Sequence, residues 1–356
     1  MNTIYLHPMA ARLFATLNTN VTTQSGSGAS LTAEMKTFYS NNLIDLAEPE
    51  LVHDQFGQKH PIPKNGGKTI EFRKYSSLPK ATTALTEGVT PNGQSLNVTT
   101  LTATVAQYGG YVTLSDVLLL TAIDNNLMQA SKLLASQAGR TLDTITREVL
   151  NGGTNVYYCA SGVTDKANLV GGSATASDNN TLTVDDIRRA VRKLKTMNTP
   201  KINGGYVAII HPDVSYDLMS DPEWQRPHEY VDTDNIYAGE IGRIAGCRFV
   251  EATEAKVWKK AAKDKSSGTA VAGDGSTKGW DVYSTLVLGA DAYGVTEVTG
   301  GGLQMIIKQL GSAGTEDPLD QRATAGWKAI KVAERLVEEY MIRVMSVSSF
   351  NDASAN

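Results

Sequence analysis

The chain has 356 residues, with 33 basic and 37 acidic side chains and a formal net charge of −4 at pH 7. Hydrophobic residues make up 41% and charged residues 20%, which excludes global disorder and fibrous repeats. At about 150 residues per domain this length predicts about two lobes, large enough to fold without disulfides or metals.

Membrane insertion and secretion are not expected. The longest apolar run, around residues 117–123, is far shorter than the ~20 residues that cross a bilayer. The N-terminus has no basic stretch followed by an apolar core, so cytoplasmic synthesis is predicted. The two cysteines, Cys159 and Cys247, are expected to be buried thiols rather than a disulfide.

The first hundred residues predict an arm followed by a hairpin. Residues 1 to about 50 show weak periodicity with one short helix over 31–46. Ile70 and Phe72 then alternate with polar residues, which predicts a strand. A second run, 96–105, also alternates, but its apolar positions change parity near residue 99, which suggests a bulge or twist. A hairpin this long is marginal alone in water and needs a partner surface.

The strongest helix is predicted over 126–150 and ends before Gly152 and Gly153. At 1.5 Å per residue it would be about 37 Å long. Its pattern separates an apolar face from a polar face. The apolar face contains Leu127, Leu134, Ala138, Leu142, Ile145 and Val149, and the polar face contains Gln129, Lys132, Ser136, Arg140, Asp143 and Arg147.

The second half of the chain predicts a mixed module. Thr183 and Asp186 have capping-box spacing and predict the start of a helix. A buried strand is predicted over 206–210 and a short helix from Pro212 to Met219, with further strands at 248–251, 286–288 and 340–347. Residues 259–279 almost lack large apolar side chains, so they predict a mobile surface loop.

No catalytic, cofactor or metal site is predicted. The GGKT string at 66–69 lacks the first glycine of a phosphate loop, since position 62 is Ile62. The five histidines lack zinc-site spacing, and a structural role is expected for His211. The basic clusters at 188–195 and 256–265 are interpreted as solvated faces. An arm and a hairpin that a monomer cannot bury instead point to assembly.

Four strings carry a family resemblance: LTEGVTP at 85–91, GEIGRIAGCRFVEA at 239–252, LVLGADAYGV at 286–295 and DPLDQRATAGWKA at 317–329. In this order, and over about residues 30–348, the chain resembles the major capsid (coat) proteins of tailed bacteriophages, particularly a podovirus-type branch.

The resemblance implies the α+β Johnson fold of these coat proteins. Its parts would be an N-terminal arm at 1–64, an extended β-hairpin loop at 65–113, a peripheral domain at 114–181 with the spine helix 126–150, and an axial domain at 182–300. A flexible insertion would occupy 255–280, and 301–356 would return to the peripheral domain. No scaffolding or protease-cleaved segment of the usual length precedes residue 30, so maturation cleavage is not expected.

The implied function is a structural coat that self-assembles, as pentamers and hexamers, into an icosahedral shell in the host bacterial cytoplasm. The shell would enclose double-stranded DNA without sequence-specific binding. Scaffolding, portal and decoration proteins are the expected partners, and no cofactor is implied. Contacts between subunits are expected at Ile70, Phe72, Leu85, Glu87, Val89 and Leu101. The alternatives are an encapsulin-like cellular compartment and, less favoured, an oligomeric enzyme.

Overall fold

The computed structural model describes residues 19–20, 52–75, 78–90, 92–122, 126–228, 240–297, 302–312 and 316–352. The helix predicted over 31–46 lies outside them. The chain divides into two compact units. The first contains the described residues of 1–48, 107–138 and 301–329, and the second those of 49–106, 139–300 and 330–356.

The described residues form helices and strands in the mixed order that the sequence predicts. The strands are β1 (Thr19–Asn20), β2 (Gln58–Lys59), β3 (Thr69–Tyr75), β4 (Val98–Thr104), β5 (Ala106–Ser115), β6 (Val156–Tyr158), β7 (Val170–Gly171), β8 (Tyr206–Ile210), β9 (Glu240–Ile244), β10 (Cys247–Glu251), β11 (Val257–Asp264), β12 (Trp280–Leu288), β13 (Tyr293–Glu297), β14 (Gln304–Lys308), β15 (Arg322–Arg335) and β16 (Met341–Val347). The α-helices are α1 (Asp116–Thr121), α2 (Asn126–Asn151), α3 (Val184–Thr196), α4 (Pro212–Met219) and α5 (Pro222–His228).

The second unit contains an eight-stranded mixed sheet. Its main path runs β6-β16-β12-β8-β10-β9, with β11 also paired to β12 and β7 paired to β11. Strands β8 and β10 are parallel, whereas β12 is antiparallel to β8, β11 and β16. The predicted strands at 206–210, 248–251, 286–288 and 340–347 therefore join one sheet.

Both faces of this sheet are covered, which explains the unbroken apolar run of β8. Tyr206, Ala208 and Ile210 belong to a core cluster with α3 and α4, whereas Val207 and Ile209 belong to a second cluster that contains Leu150. A strand buried on both faces shows no polar alternation. The free cysteines Cys159 and Cys247 are buried, as predicted.

Helix α3 begins as predicted, at a capping box. The Thr183 side chain accepts a hydrogen bond from the Asp186 backbone N–H (3.3 Å), and the Asp186 carboxylate accepts one from the Thr183 backbone N–H (3.2 Å). Ile187, Val191 and Leu194 are buried on the face that this start aligns with the sheet. Local sequence was sufficient here because both halves of the cap lie within four residues.

Helix α2, the predicted spine, runs one residue beyond the expected end. Leu134 and Leu142 are buried as predicted, whereas Leu127 and Ile145 are half-buried. The assignment of Asp143 and Arg147 to a solvated polar face is wrong, because both residues are 2% exposed. Partners from distant parts of the chain satisfy them: His53 contacts Asp143, and the Glu254 carbonyl accepts a hydrogen bond from Arg147 (2.7 Å).

The first unit contains β5, β14 and the first part of β15 in one sheet. Strand β14 is antiparallel to β15, from Gln304 opposite Lys328 to Lys308 opposite Thr324. Strand β5 approaches so closely that a Cβ atom at Gly109 would lie 2.6 Å from the Trp327 carbonyl oxygen, so this position requires glycine. The Trp327 indole donates a hydrogen bond to Gln137 (3.1 Å), which ties the sheet to α2.

The predicted insertion, 255–280, needs correction because it contains a sheet strand, β11. Its Ala262 is fully buried, and its Lys260 backbone N–H donates to the buried Asp281 (2.8 Å). The pairing register with β12 shifts between Trp258 and Ala262, where Lys260 has a φ of 48°. This irregularity removes the period-2 pattern from which a strand is recognised.

Residues 265–279 form the remaining loop. Asp274 accepts hydrogen bonds from the backbone N–H groups of Ser276 (2.9 Å), Thr277 (2.8 Å) and Lys278 (2.9 Å). These bonds, that from Lys278 first, hold the pKa of Asp274 well below its ordinary value. The mobility of this loop stays a prediction.

We expect a short Gly-Ser linker in place of 265–279 to change the free energy of unfolding by less than about 1 kcal/mol, because the loop buries little apolar surface. Extending the replacement to 257–279 should cost at least about 3 kcal/mol, because it also removes a buried strand. Denaturant unfolding of the two variants measures the difference. Equal losses would contradict this division of the segment.

Candidate assembly interface

The predicted hairpin is present as β3 and β4, which pair only with each other among the described strands. The register is continuous from Thr69 opposite Thr104 to Tyr75 opposite Val98. The bulge expected near residue 99 is therefore absent within these strands. The parity change arises because Val98 lies with Tyr75 on one face, whereas Leu101 lies on the other.

The face that contains Leu101 also contains Ile70 and Phe72, and all three are half-buried. They line a groove of about 450 Å³ whose other apolar walls are Leu336 and Val337. The Phe72 ring meets the His60 ring edge-on, with centroids 5.7 Å apart. Three of the six predicted contact residues thus already pack, in part, within their own subunit.

Lys74 and Glu339 form an ion pair at the rim of this groove, with Nζ 3.3 Å from the carboxylate. The pKa of Glu339 is lowered by its own backbone N–H and, to a smaller extent, by Lys74. Both side chains are about half exposed, so the pair contributes little to stability. It orients the root of the hairpin.

The other three predicted contact residues, Leu85, Glu87 and Val89, are exposed near the tip of the hairpin. The Val89 N–H donates to the Thr86 carbonyl (3.1 Å), and Gly88 has a φ of 78°, the left-handed conformation that the third position of a type II turn requires. This turn presents Leu85 and Val89 to solvent, 76% and 62% exposed.

Exposed apolar side chains continue along the hairpin beyond the predicted residues. The set with at least 45% exposure is Tyr75, Leu78, Leu85, Val89, Leu96 and Val98. Monomeric proteins rarely expose extended apolar surfaces, which typically mark interaction sites. Leu78 and Leu96 were not predicted as contacts, although their apolar character in a turn-rich segment is a usable signal.

Strand β14 is a second exposed apolar element that the sequence analysis missed. All five of its residues are exposed, and Met305, Ile306 and Ile307 are between 39% and 50% exposed. Exposed apolar residues on both faces of a strand at the edge of a sheet are unusual, because such strands can pair with other chains. Burial, and not pattern, distinguishes β14 from a core strand.

Among the described residues, no three His, Cys, Asp or Glu side chains lie where they could hold a metal ion. None of the described helices combines the length and hydropathy needed to span a membrane. His211 has a structural role, as expected: its Nδ1 accepts a hydrogen bond from the Asp213 backbone N–H (3.2 Å) and so caps α4.

Burial lowers the pKa of His211, although the nearby Asp213 and Glu251 carboxylates act in the opposite direction. The unfolded chain therefore binds a proton before the folded chain does. Stability should be complete above about pH 6.5, fall as the pH drops through that value, and level off below the lowered folded pKa.

His211→Asn should flatten this pH dependence, because asparagine retains a capping acceptor but does not titrate. Unfolding free energies between pH 5 and 8 test the prediction. His60→Asn is the matched control, since His60 is exposed. A slope reduced equally by both substitutions would contradict the assignment to His211.

Comparison with known proteins agrees with this arrangement. The family model described as phage capsid protein matches residues 22–310. No curated protein is significantly similar in sequence.

Three solved capsids share the fold. The capsid of Ralstonia phage GP4 is 16% identical with a TM-score of 0.63, over 94% of this chain and 100% of that chain. The capsid of cyanophage Pam1 is 13% identical with a TM-score of 0.63, over 92% and 100%. The capsid of cyanophage P-SCSP1u is 14% identical with a TM-score of 0.61, over 89% and 94%.

The fold is therefore that of phage capsids, and the family match covers most of the chain. The mixed helices and sheets, the long spine helix and the unsupported apolar hairpin are the features that the resemblance led us to expect. The chain belongs to the phage capsid protein family and is a structural protein, not an enzyme.

Proposed function

We propose that this chain is the major coat subunit of a tailed bacteriophage and that the hairpin β3–β4 joins neighbouring copies into the pentamers and hexamers of an icosahedral shell. The observation that carries the proposal is the row of exposed apolar side chains on a hairpin that pairs with no other described strand. A two-stranded hairpin is marginal in water without a supporting surface. A neighbouring subunit would supply that surface.

The two ends of the hairpin would contribute differently. At the tip, Leu85 and Val89 offer nearly their whole side chains, and each gains about 1.5 to 3 kcal/mol on full burial. At the root, Phe72 and Leu101 offer only the part that their own subunit leaves open. We therefore assign most of the hairpin's binding energy to the tip and assign orientation to the root.

Strand β14 would form a second contact, because its apolar residues are exposed in the other unit of the subunit. A shell requires each subunit to contact several neighbours, so more than one apolar surface is needed. Moderate contacts repeated over many subunits can stabilise a closed shell even when each alone is weak.

We further propose that the shell assembles in the host cytoplasm and encloses double-stranded DNA without reading its sequence. A net charge of −4 supports enclosure rather than tight binding, because strong phosphate binding requires clustered Lys and Arg. Scaffolding, portal and decoration proteins would be its partners. The phage capsid family match favours this role over an encapsulin-like compartment.

Negative-stain electron microscopy of the purified full-length protein tests the proposal. We expect closed shells of uniform diameter, or capsomers that close into shells when a scaffolding protein is supplied. Small oligomers that never close under either condition would contradict it.

A further inference from the structure

Residues Val52–Phe56 make a buried polar contact with helix α2 that the proposed function does not use. We call this contact the clasp and define it as His53, Asp54, Asp143, Thr146 and Lys331. All five residues belong to the second unit. Each half of the clasp joins the segment 53–54 to the same turn of α2.

The first half is a pair between His53 and Asp143. The His53 backbone N–H and ring Nδ1 both contact the Asp143 carboxylate, at 2.8 Å and 2.6 Å. The two side chains are 0% and 3% exposed. Because Nδ1 donates to the carboxylate, a neutral His53 carries its proton on Nδ1.

The second half links Asp54 to α2 and β15. The Thr146 hydroxyl donates to Asp54 (2.6 Å), and the ammonium group of Lys331 forms an ion pair with the same carboxylate. The ammonium group also donates to the Leu142 carbonyl (3.0 Å), and its side chain is 1% exposed. The clasp therefore encloses the helical turn from Leu142 to Thr146.

Apolar packing surrounds the clasp. Val52 and Phe56 belong to a buried cluster with Leu150 and Tyr293, and the Tyr293 hydroxyl donates to the His53 carbonyl. Apolar side chains in place of a buried ion pair often stabilise a protein as well or better, so charge is not needed to hold this segment. Buried polar groups instead select one geometry and lose their contribution steeply when that geometry is lost.

One atom of the clasp is not satisfied. His53 Nε2 is buried and has no hydrogen-bond partner among the described residues. Buried polar atoms without partners are rare and often occur where a second conformation satisfies them. With a neutral His53, the clasp also holds two carboxylates against one ammonium group.

We propose that the clasp is a two-state anchor. Closed, as in this structure, it holds Val52–Phe56 on the spine helix. Open, it releases this segment, and with it the direction in which the preceding chain leaves the subunit, while the eight-stranded sheet stays folded. The use of the two states for non-identical positions in a shell rests on the proposed function, whereas the opening itself does not.

Hydrogen exchange of the full-length, unassembled subunit tests the proposal. In the wild-type protein, peptides covering 52–57 should exchange through local opening, faster than peptides from β12. Asp54→Asn and the pair Asp54→Asn/Lys331→Met should each accelerate exchange of 52–57 by about ten-fold or more, because charge-assisted bonds are lost. Asp185→Asn is the matched control, since this carboxylate is 59% exposed on α3.

The outcomes separate clearly. Faster exchange of 52–57 with unchanged β12 protection in the paired variant supports the anchor. If Asp54→Asn alone unfolds the subunit by leaving Lys331 without a counter-charge, the paired variant decides by the same criterion. Exchange of 52–57 in step with β12 in wild type and paired variant, or no acceleration beyond that of Asp185→Asn, overturns it. Because no shell is needed, this result is independent of whether the hairpin drives assembly.

Discussion

A variant without residues 77–94 should fold as a soluble subunit and fail to form shells. The deletion removes the tip with Leu85 and Val89, but leaves β3 and β4 to be joined by a short turn. The eight-stranded sheet lies elsewhere in the chain and keeps its core. Circular dichroism and electron microscopy measure folding and assembly separately, and normal shells from this variant would contradict the proposed role of the hairpin.

The double substitution Leu85→Ser/Val89→Ser makes the same test without shortening the chain. At about 1.5 to 3 kcal/mol for each buried side chain, the concentration needed for assembly should rise about a hundred-fold or more. Thr82→Ser/Thr83→Ser is the control, because these exposed residues lie in the same loop and the change removes only methyl groups. Light scattering across a concentration series measures the threshold.

The second large effect is expected in the spine helix. Leu142→Ala should reduce the free energy of unfolding by about 2 to 5 kcal/mol, because Leu142 is 6% exposed and alanine would leave a cavity. Leu133→Ala is a control on the same helix, since Leu133 is 52% exposed and should lose less than about 1 kcal/mol.

Denaturant unfolding of the unassembled subunit compares the two substitutions. A loss below about 1 kcal/mol for Leu142→Ala would show that this face of α2 is not core. Leu133→Ala carries additional information in assembled shells. A defect there with normal subunit stability would indicate that the exposed part of α2 contacts a neighbour.

Much of the architecture could be predicted because it depends on short-range pattern. The capping box at Thr183 needs only four residues, and the ends of α2 follow from its periodicity and the glycines behind it. The apolar run of β8 indicates burial on both faces wherever the neighbouring strands lie. The hairpin followed from two alternating runs around a turn-rich segment.

The errors share one cause, which is burial by partners far away in the sequence. Asp143 resembles a solvated residue of an amphipathic helix until His53, 90 positions earlier, contacts it. Strand β11 resembles a lysine-rich loop until β12 and the buried Asp281 pair with it. Periodicity within one segment contains no information about such partners.

The sequence by itself therefore determined the elements, the family resemblance and the presence of a hairpin that needs a partner, because each depends on residues close together or on strings in order. Only the tertiary structure decided which polar groups are buried and which apolar groups remain exposed. Those properties depend on the free energy of removing each side chain from water, and this is set by the groups that distant segments place around it.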